Sequence, residues 1–346
     1  MAYSCRMLAD SVTKRGHRLS SFEIIFPRPV LSEYNTHCML ARNSASSRAI
    51  PVITMIRNLL RDTFIPERFG INQPGMQSAY FLDGLYADEA RLIWRRGRDR
   101  ALLTAIEFLF GLERAMGLFG LAPDFDDAET QAVLFAELDT YEAAMKEVNR
   151  MLPSLSPDEA ETALKQFTEE QYLNVHKQIA NRVLEPYLWH TVVTTATEWS
   201  NFFALRNHAD AQPEIRTIAA MMQEMYGVSE PRLLADGEWH LPLIQPDEGQ
   251  PVPRDPLFWP KISSARMGRV SYLTHAGIRD LDADTNMFGN LSGSGHMSPM
   301  EHPGRAMIDE EFATSPTSGK FTGFIQFRKL LRNEHDFGLI LAERAP

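Results

Sequence analysis

The stretch that decides the architecture is Trp199-Ser200-Asn201-Phe202-Phe203-Ala204-Leu205-Arg206, continued by Ala211-Gln212-Pro213-Glu214-Ile215-Arg216. Its apolar residues recur at helical spacing, and Val193, Ala196, Trp199, Phe202 and Phe203 are predicted to line one stripe of a helix. A helix that is aromatic on one face and carries Asn201 and Arg206 is able to present Arg206 to a ligand. The alternative is a core helix with a snorkelling Arg. The segment lies near the end of a run, Leu121 to Tyr226, that holds no Gly and is rich in Ala, Glu, Leu, Met and Gln. That composition predicts a mostly helical block. Ser156-Pro157-Asp158-Glu159 reads as a helix start, with Pro153, Pro157 and Pro186 at breaks or first turns.

Outward from this block the pattern changes. Phe22-Glu23-Ile24-Ile25-Phe26 is a short β-prone run ended by Pro27, and Lys320 to Phe327 is a second β candidate. The second run lies in a segment from Trp259 onward that holds nine of the 20 Gly. Gly120 to Asp127 reads as a connection, and the Pro-rich, acidic stretch Leu241 to Pro260 as a linker or surface loop. The expected class is α+β, a large helical middle region between two β-containing ends.

Composition narrows the function. The chain has 346 residues, 44% hydrophobic and 23% charged, as a globular protein does. A net charge of -10 disfavours coating a nucleic-acid polymer, although a few converging Arg still suit one small anion. Two cysteines, Cys5 and Cys38, argue against a disulfide framework and for a cytoplasmic setting. No apolar run approaches the length of a membrane span, and Met1 to Arg18 lacks the apolar core of a secretory signal.

Two further segments carry chemistry. Asn35-Thr36-His37-Cys38-Met39-Leu40-Ala41-Arg42-Asn43-Ser44-Ala45-Ser46-Ser47-Arg48 is dense in hydrogen-bonding groups. By composition it reads as a Ser-rich surface turn followed by a helix, yet the density also suits a loop that binds phosphates and a polar ring. Ser264-Ala265-Arg266-Met267-Gly268-Arg269-Val270-Ser271-Tyr272 is followed by Gly295-His296-Met297-Ser298-Pro299-Met300-Glu301-His302. Two His and a Glu within seven residues are too few for a metal, and neither HExxH nor CxxC occurs, so no metal is expected.

Together the three segments resemble the flavin-dependent thymidylate synthases. That family's signature, Arg-His-Arg followed after seven residues by Ser, is met here by Thr36-His37-Cys38 and Ser46, with Arg48 two further on. Asn201 to Ile215 resemble the family's Asn-Phe-x-x-Leu-Arg and Ala-Gln-x-Glu-Ile. The third segment resembles the family's N-terminal elements, an Ala-Arg-Val-Ser strand end and a Gly-His-x-Ser-Pro-x-Glu-His helix start. Here it comes last. The resemblance therefore implies the family's α/β fold in circularly permuted order, which neighbouring surface termini permit. It covers about 20–52, 176–225 and 260–330, with a helical insert between Gln77 and Lys177. On this reading 1–346 is one catalytic domain: a signature segment (20–52), an insert (78–175), a helical nucleotide and flavin segment (176–226), a linker-like loop (240–260) and a permuted flavin-binding segment (261–346).

The resemblance implies a homotetramer that makes dTMP: methylenetetrahydrofolate gives a one-carbon unit to C5 of dUMP, reduced FAD gives hydride, and NADPH reduces the flavin. By matched position, Arg48 and Arg182 resemble the phosphate ligands, Ser46 the Ser near uracil and phosphate, and Glu33 and Ser44 nucleotide contacts. Arg206 resembles the Arg at the pyrimidine beside the flavin, and Arg206 and Ser46 are the catalytic candidates. His37, Asn43, Asn201, Ser271 and His302 match flavin-contacting positions. Thr36 and Cys38 depart from the signature and remove two cations, for which Arg28, Arg42 or Arg328 are candidate substitutes. A nucleophilic Cys38 is not expected, because the Pro-Cys-His context of the flavin-independent synthases is absent. These departures keep two alternatives open: a hydroxymethylase or other C5-modifying enzyme acting on dUMP or dCMP, and a non-catalytic flavin- or nucleotide-binding protein.

Overall fold

The structure, a computed structural model, describes residues 3–75, 77–248, 255–275, 277, 279–334, 336, 338 and 339. Residues 249–254, the Gly-containing part of the expected 240–260 loop, lie outside the described residues. The chain forms two compact units, Ser47–Trp189 and Ala2–Ser46 with His190–Pro346.

Strands β1 (Ser4–Thr13) and β2 (Arg18–Pro27) form an antiparallel hairpin, irregular between Met7 and Ala9. Helix α1 (Leu31–Asn35) and strand β3 (Ala41–Ser44) follow. The helical unit then runs through α2 (Val52–Arg61), α3 (Gly84–Phe110), α4 (Leu112–Phe119), α5 (Ala128–Met151), α6 (Pro157–Glu170), α7 (Lys177–Ala180) and a 3-10 stretch, Asn181–Tyr187. Next come β4 (Trp189–Ala196), α8 (Ser200–Arg206), α9 (Pro213–Val228), β5 (Arg232–Leu234) and β6 (Trp239–His240). The chain continues with α10 (Phe258–Gly268), α11 (Leu281–Gly293), β7 (Gly304–Ala306) and α12 (Asp309–Thr314). Strands β8 (Thr317–Ser318), β9 (Phe321–Thr322) and β10 (Phe324–Gln326) follow. This mixture of helix and sheet agrees with the α+β expectation.

In the helical unit, local sequence sets the ends. Ser156 and Glu159 form a capping box at α6, and Asp127 accepts from Thr130 N–H at α5. Trp94 packs edge-on against Phe64 and Tyr187, and Tyr141, Phe110 and Tyr172 form a second aromatic cluster.

The other unit is built on a five-stranded sheet in the order β3-β4-β2-β1-β5. Alternation along β2 sends Phe22, Ile24 and Phe26 to one face, where they pack with Trp199, Phe202 and Phe203 around α8 and with Ile215, Ile218, Ala219 and Met222 of α9. Leu19 faces the other side, with Ala41, Leu234, Ala306, Phe321 and Phe324. A smaller sheet, β10-β7-β6, lies in the same unit. Among the described residues no helix is long and apolar enough to cross a membrane.

Two local expectations are corrected, and a third, the Lys320–Phe327 strand candidate, is met in divided form. Val193 and Ala196 do not share a helical stripe with Trp199: both are in β4, and the helix starts at Ser200. Thr191-Val192-Val193-Thr194-Thr195 is five β-branched residues in succession, which favours strand. Ala196 then joins the α8 face, whereas Val193 meets Met267 and Val270. The Lys320–Phe327 run is two short strands, broken at Gly323. Gly323 has φ 76°, and a Cβ there would lie 2.6 Å from the His17 ring, so only glycine fits. Finally, Ala265 and Arg266 are not a strand end but the buried interior of α10.

The reason lies in Arg266, 2% exposed. Its Nη1 and Nη2 donate to both Glu248 carboxylate oxygens at 2.8 Å, and its Nε donates to Asp284 at 2.9 Å. Arg269 adds a 2.6 Å bond to the fully buried Asp284. The supposed linker thus supplies a partly buried ion-pair partner for Arg266 in Glu248, and Pro260 sits in the first turn of α10.

Candidate functional site

Helix α8 aims Arg206. Phe202 and Phe203 are buried, and the C-terminal position of Arg206 puts a cation where helix carbonyls are unpaired. Opposite, the chain leaves α1 and turns through residues 36–40. Arg42 Nη1 holds that turn by donating to Tyr34 O and His37 O, each at 3.3 Å. Arg206 Nε donates to His37 Nε2 at 2.8 Å, and its Nη2 donates to Thr36 Oγ1 at 3.0 Å and Glu33 O at 3.2 Å. Thr36 Oγ1 donates in turn to Glu33 O at 2.7 Å. The His37 ring stands edge-on to Phe202. Burial, then Arg206 and Arg42, push its pKa below the usual imidazole value. A neutral ring that accepts at Nε2 carries its proton on Nδ1.

The other expected residues divide. Ser46 N–H donates to Ser271 O at 3.1 Å, which joins two of the segments. Ser44 lies in β3 opposite Val192, and Asn201 is exposed on α8. Asn43 is buried and gives its side-chain N–H to Met267 O at 3.3 Å. His302 is fully buried, with Nδ1 2.9 Å from Thr195 Oγ1 and Nε2 without a hydrogen-bond partner among the described residues.

Arg48 and Arg182 belong to the helical unit. There the buried Asn181 donates to Ser47 O and Ile50 O at 2.7 and 2.9 Å, and Lys177 donates to Ala49 O at 2.8 Å. The turn that carries Arg48 is thereby strapped to the segment that carries Arg182. Arg182 also bonds Glu185 at 2.8 Å, an exposed pair of small energetic weight.

Of the candidate substitute cations, Arg328 is paired with Glu301 and Glu334, and Arg28 donates to His190 Nδ1 at 2.9 Å. Cys38 is exposed, and burial pushes the Cys5 thiol up to about 12, far from a thiolate. Among the described residues no three His, Cys, Asp or Glu side chains gather as a metal would require.

The sequence reading missed a buried polar chain. His240 lies with Nδ1 2.9 Å from Ser11 Oγ and Nε2 2.8 Å from Ser21 Oγ. Ser21 Oγ is 2.6 Å from Thr195 Oγ1, which meets His302. The one signal was alternation, which puts Ser21 on the face opposite Phe22. Burial depresses the pKa values of His190, His240 and His302 to about 3, against 6.5 for a free imidazole. The unfolded chain takes up these protons as pH falls below about 6.5, whereas the folded chain does so only near 3. Their contribution to stability is full above 6.5 and is lost on acidification, at up to ~1.4 kcal/mol per pH unit for each His. Denaturant midpoints are expected to fall steeply from pH 7 to pH 5; equal midpoints would contradict this burial.

No protein-family model and no curated protein matches this sequence. Among solved structures, the chain is similar to the UMP/dUMP methylase PolB from Streptomyces cacaoi. The form bound with 5-Br dUMP matches at 13% identity and a TM-score of 0.31, over 65% of this chain and 90% of PolB. The form bound with 5-Br UMP matches at 14% identity and a TM-score of 0.32, over 65% and 89%.

Proposed function

We propose that this chain is an enzyme that transfers a one-carbon unit to C5 of a pyrimidine nucleotide such as dUMP, with Arg206 at the ring. The observation that carries this reading is the Arg206 cluster. Arg206, matched to the family's pyrimidine-binding Arg, is bonded to His37 of the signature, 169 positions away in the chain. Two motifs chosen for their resemblance thus meet at one guanidinium.

Arg206 Nη1 makes no hydrogen bond among the described residues, since Nε and Nη2 carry the three contacts. On this reading Nη1 holds the negative charge that develops on the pyrimidine as C5 becomes nucleophilic. His37, neutral and protonated on Nδ1, donates to a ring carbonyl. Of the donors present, His37 and Arg206 suit the polar ring of a flavin, whereas His302 is fully buried beside Thr195 on the opposite face of the sheet. Reduced FAD, when bound, would supply the hydride that completes a methyl group, with methylenetetrahydrofolate as carbon donor and NADPH as reductant.

The test is incubation of the purified protein with FAD, NADPH, methylenetetrahydrofolate and dUMP or dCMP, followed by mass analysis of the nucleotide. Gain of a methyl group supports the synthase. Gain of a hydroxymethyl group moves the assignment to a hydroxymethylase. A colourless protein that takes up no FAD and leaves both nucleotides unchanged would sink the proposal.

A further inference from the structure

The N-terminal half of α3 carries a face that its own unit leaves uncovered. Its inner side is anchored. Trp94 Nε1 donates to Phe64 O at 2.8 Å, and the buried Arg98 reaches Asp126 at 2.7 Å. On the opposite arc lie Leu85, Tyr86, Glu89, Leu92, Ile93, Arg96 and Arg100, all exposed. Leu85 is 86% exposed, Tyr86 70%, Ile93 60% and Leu92 50%. Four large apolar side chains on one helical face mark an interaction surface more often than a surface that meets only water.

Charge is ordered along this face. Glu89 lies toward its N-terminal end and Arg96 and Arg100 toward its C-terminal end, with Leu92 and Ile93 between. Glu89, Arg96 and Arg100 make no ion pair within the protein among the described residues. The order is self-complementary. Let two such faces pack antiparallel about a two-fold axis between Leu92 and Ile93. Glu89 of each copy then meets Arg96 of the other, the apolar pairs meet at the centre, and Leu85 covers the stem of Arg100. An anionic polymer or lipid surface matches the arginines but would be repelled by Glu89, which a second copy uses, whereas Asp88 is paired with Arg91 of its own helix.

We infer that this face of α3 docks a second copy of the chain through a two-fold antiparallel helix pair. The inference concerns the helical insert and stands apart from the proposed chemistry. It is tested by sedimentation velocity on the full chain across a range of concentrations. Wild type is expected to self-associate. Glu89→Arg, which sets like charges opposite each other, is expected to weaken association by roughly tenfold or more, and Arg96→Glu likewise. The double variant restores both pairs and is expected to regain most of the affinity. Both substitutions are at exposed positions, and circular dichroism checks that the helices persist. A monomeric wild type, an association that ignores Glu89→Arg, or a double variant no better than the singles overturns the inference.

Discussion

Asp284→Ala is expected to destabilise the protein by about 3–5 kcal/mol, the range found when one partner of a buried ion pair is removed. Asp284 is fully buried, with Arg266 on one carboxylate oxygen and Arg269 on the other. Arg266 keeps Glu248 in the variant, but its Nε–H and both Arg269 contacts lose their acceptor inside the protein. An uncompensated buried charge, more than the lost attraction, sets the size of the effect. Asp284→Asn preserves shape and one acceptor and is expected to cost less. Glu248→Gln, at the rim of the cluster, is expected to cost less again. Urea unfolding of the three variants checks the ordering. An Asp284→Ala midpoint within error of wild type would mean that α10 and α11 are not held together by this cluster. A loss that large is a substantial part of a typical folding free energy.

The same cluster explains where the sequence was hard to read. Helix ends governed by neighbours were legible: Ser156 with Glu159, and Asp127 at the end of the Gly120–Asp127 connection. So was the alternation of Phe22, Ile24 and Phe26. Val193 to Phe203 was misread because helical and strand periods coincide over a few positions, and there the β-branched run of β4 outweighed spacing. Ala265-Arg266 was misread because an Arg in a short motif gives no sign of partners 18 positions away on either side. The candidate site was legible for the opposite reason: Arg206 and His37 were each marked by a motif, and the fold brought them to 2.8 Å. The His240–Ser21–Thr195–His302 chain carries no motif. It arises from facing strands, a relation that sequence distance hides.

Arg206→Ala is expected to lower kcat/KM for nucleotide alkylation by roughly a hundredfold or more, the scale of losing one preorganised donor to a developing anion. Thr36 stands where the signature that this segment resembles has Arg. Thr36 Oγ1 accepts from Arg206 at 3.0 Å and donates to Glu33 O at 2.7 Å, so a short hydroxyl both fixes the guanidinium and closes the turn. A second guanidinium in that place would offer Arg206 no acceptor and would add like charge beside it. Arg206→Lys should recover little, because a single ammonium cannot span His37, Thr36 and the Glu33 carbonyl in one plane. A readout other than turnover separates this role from a structural one. Arg206 is one cause of the depressed His37 pKa, after burial. In Arg206→Ala the His37 titration, followed by NMR on folded protein, is therefore expected to move up toward its ordinary value. Full activity in the variant would remove Arg206 from the pyrimidine, and an unmoved His37 titration would remove the contact on which its placement depends.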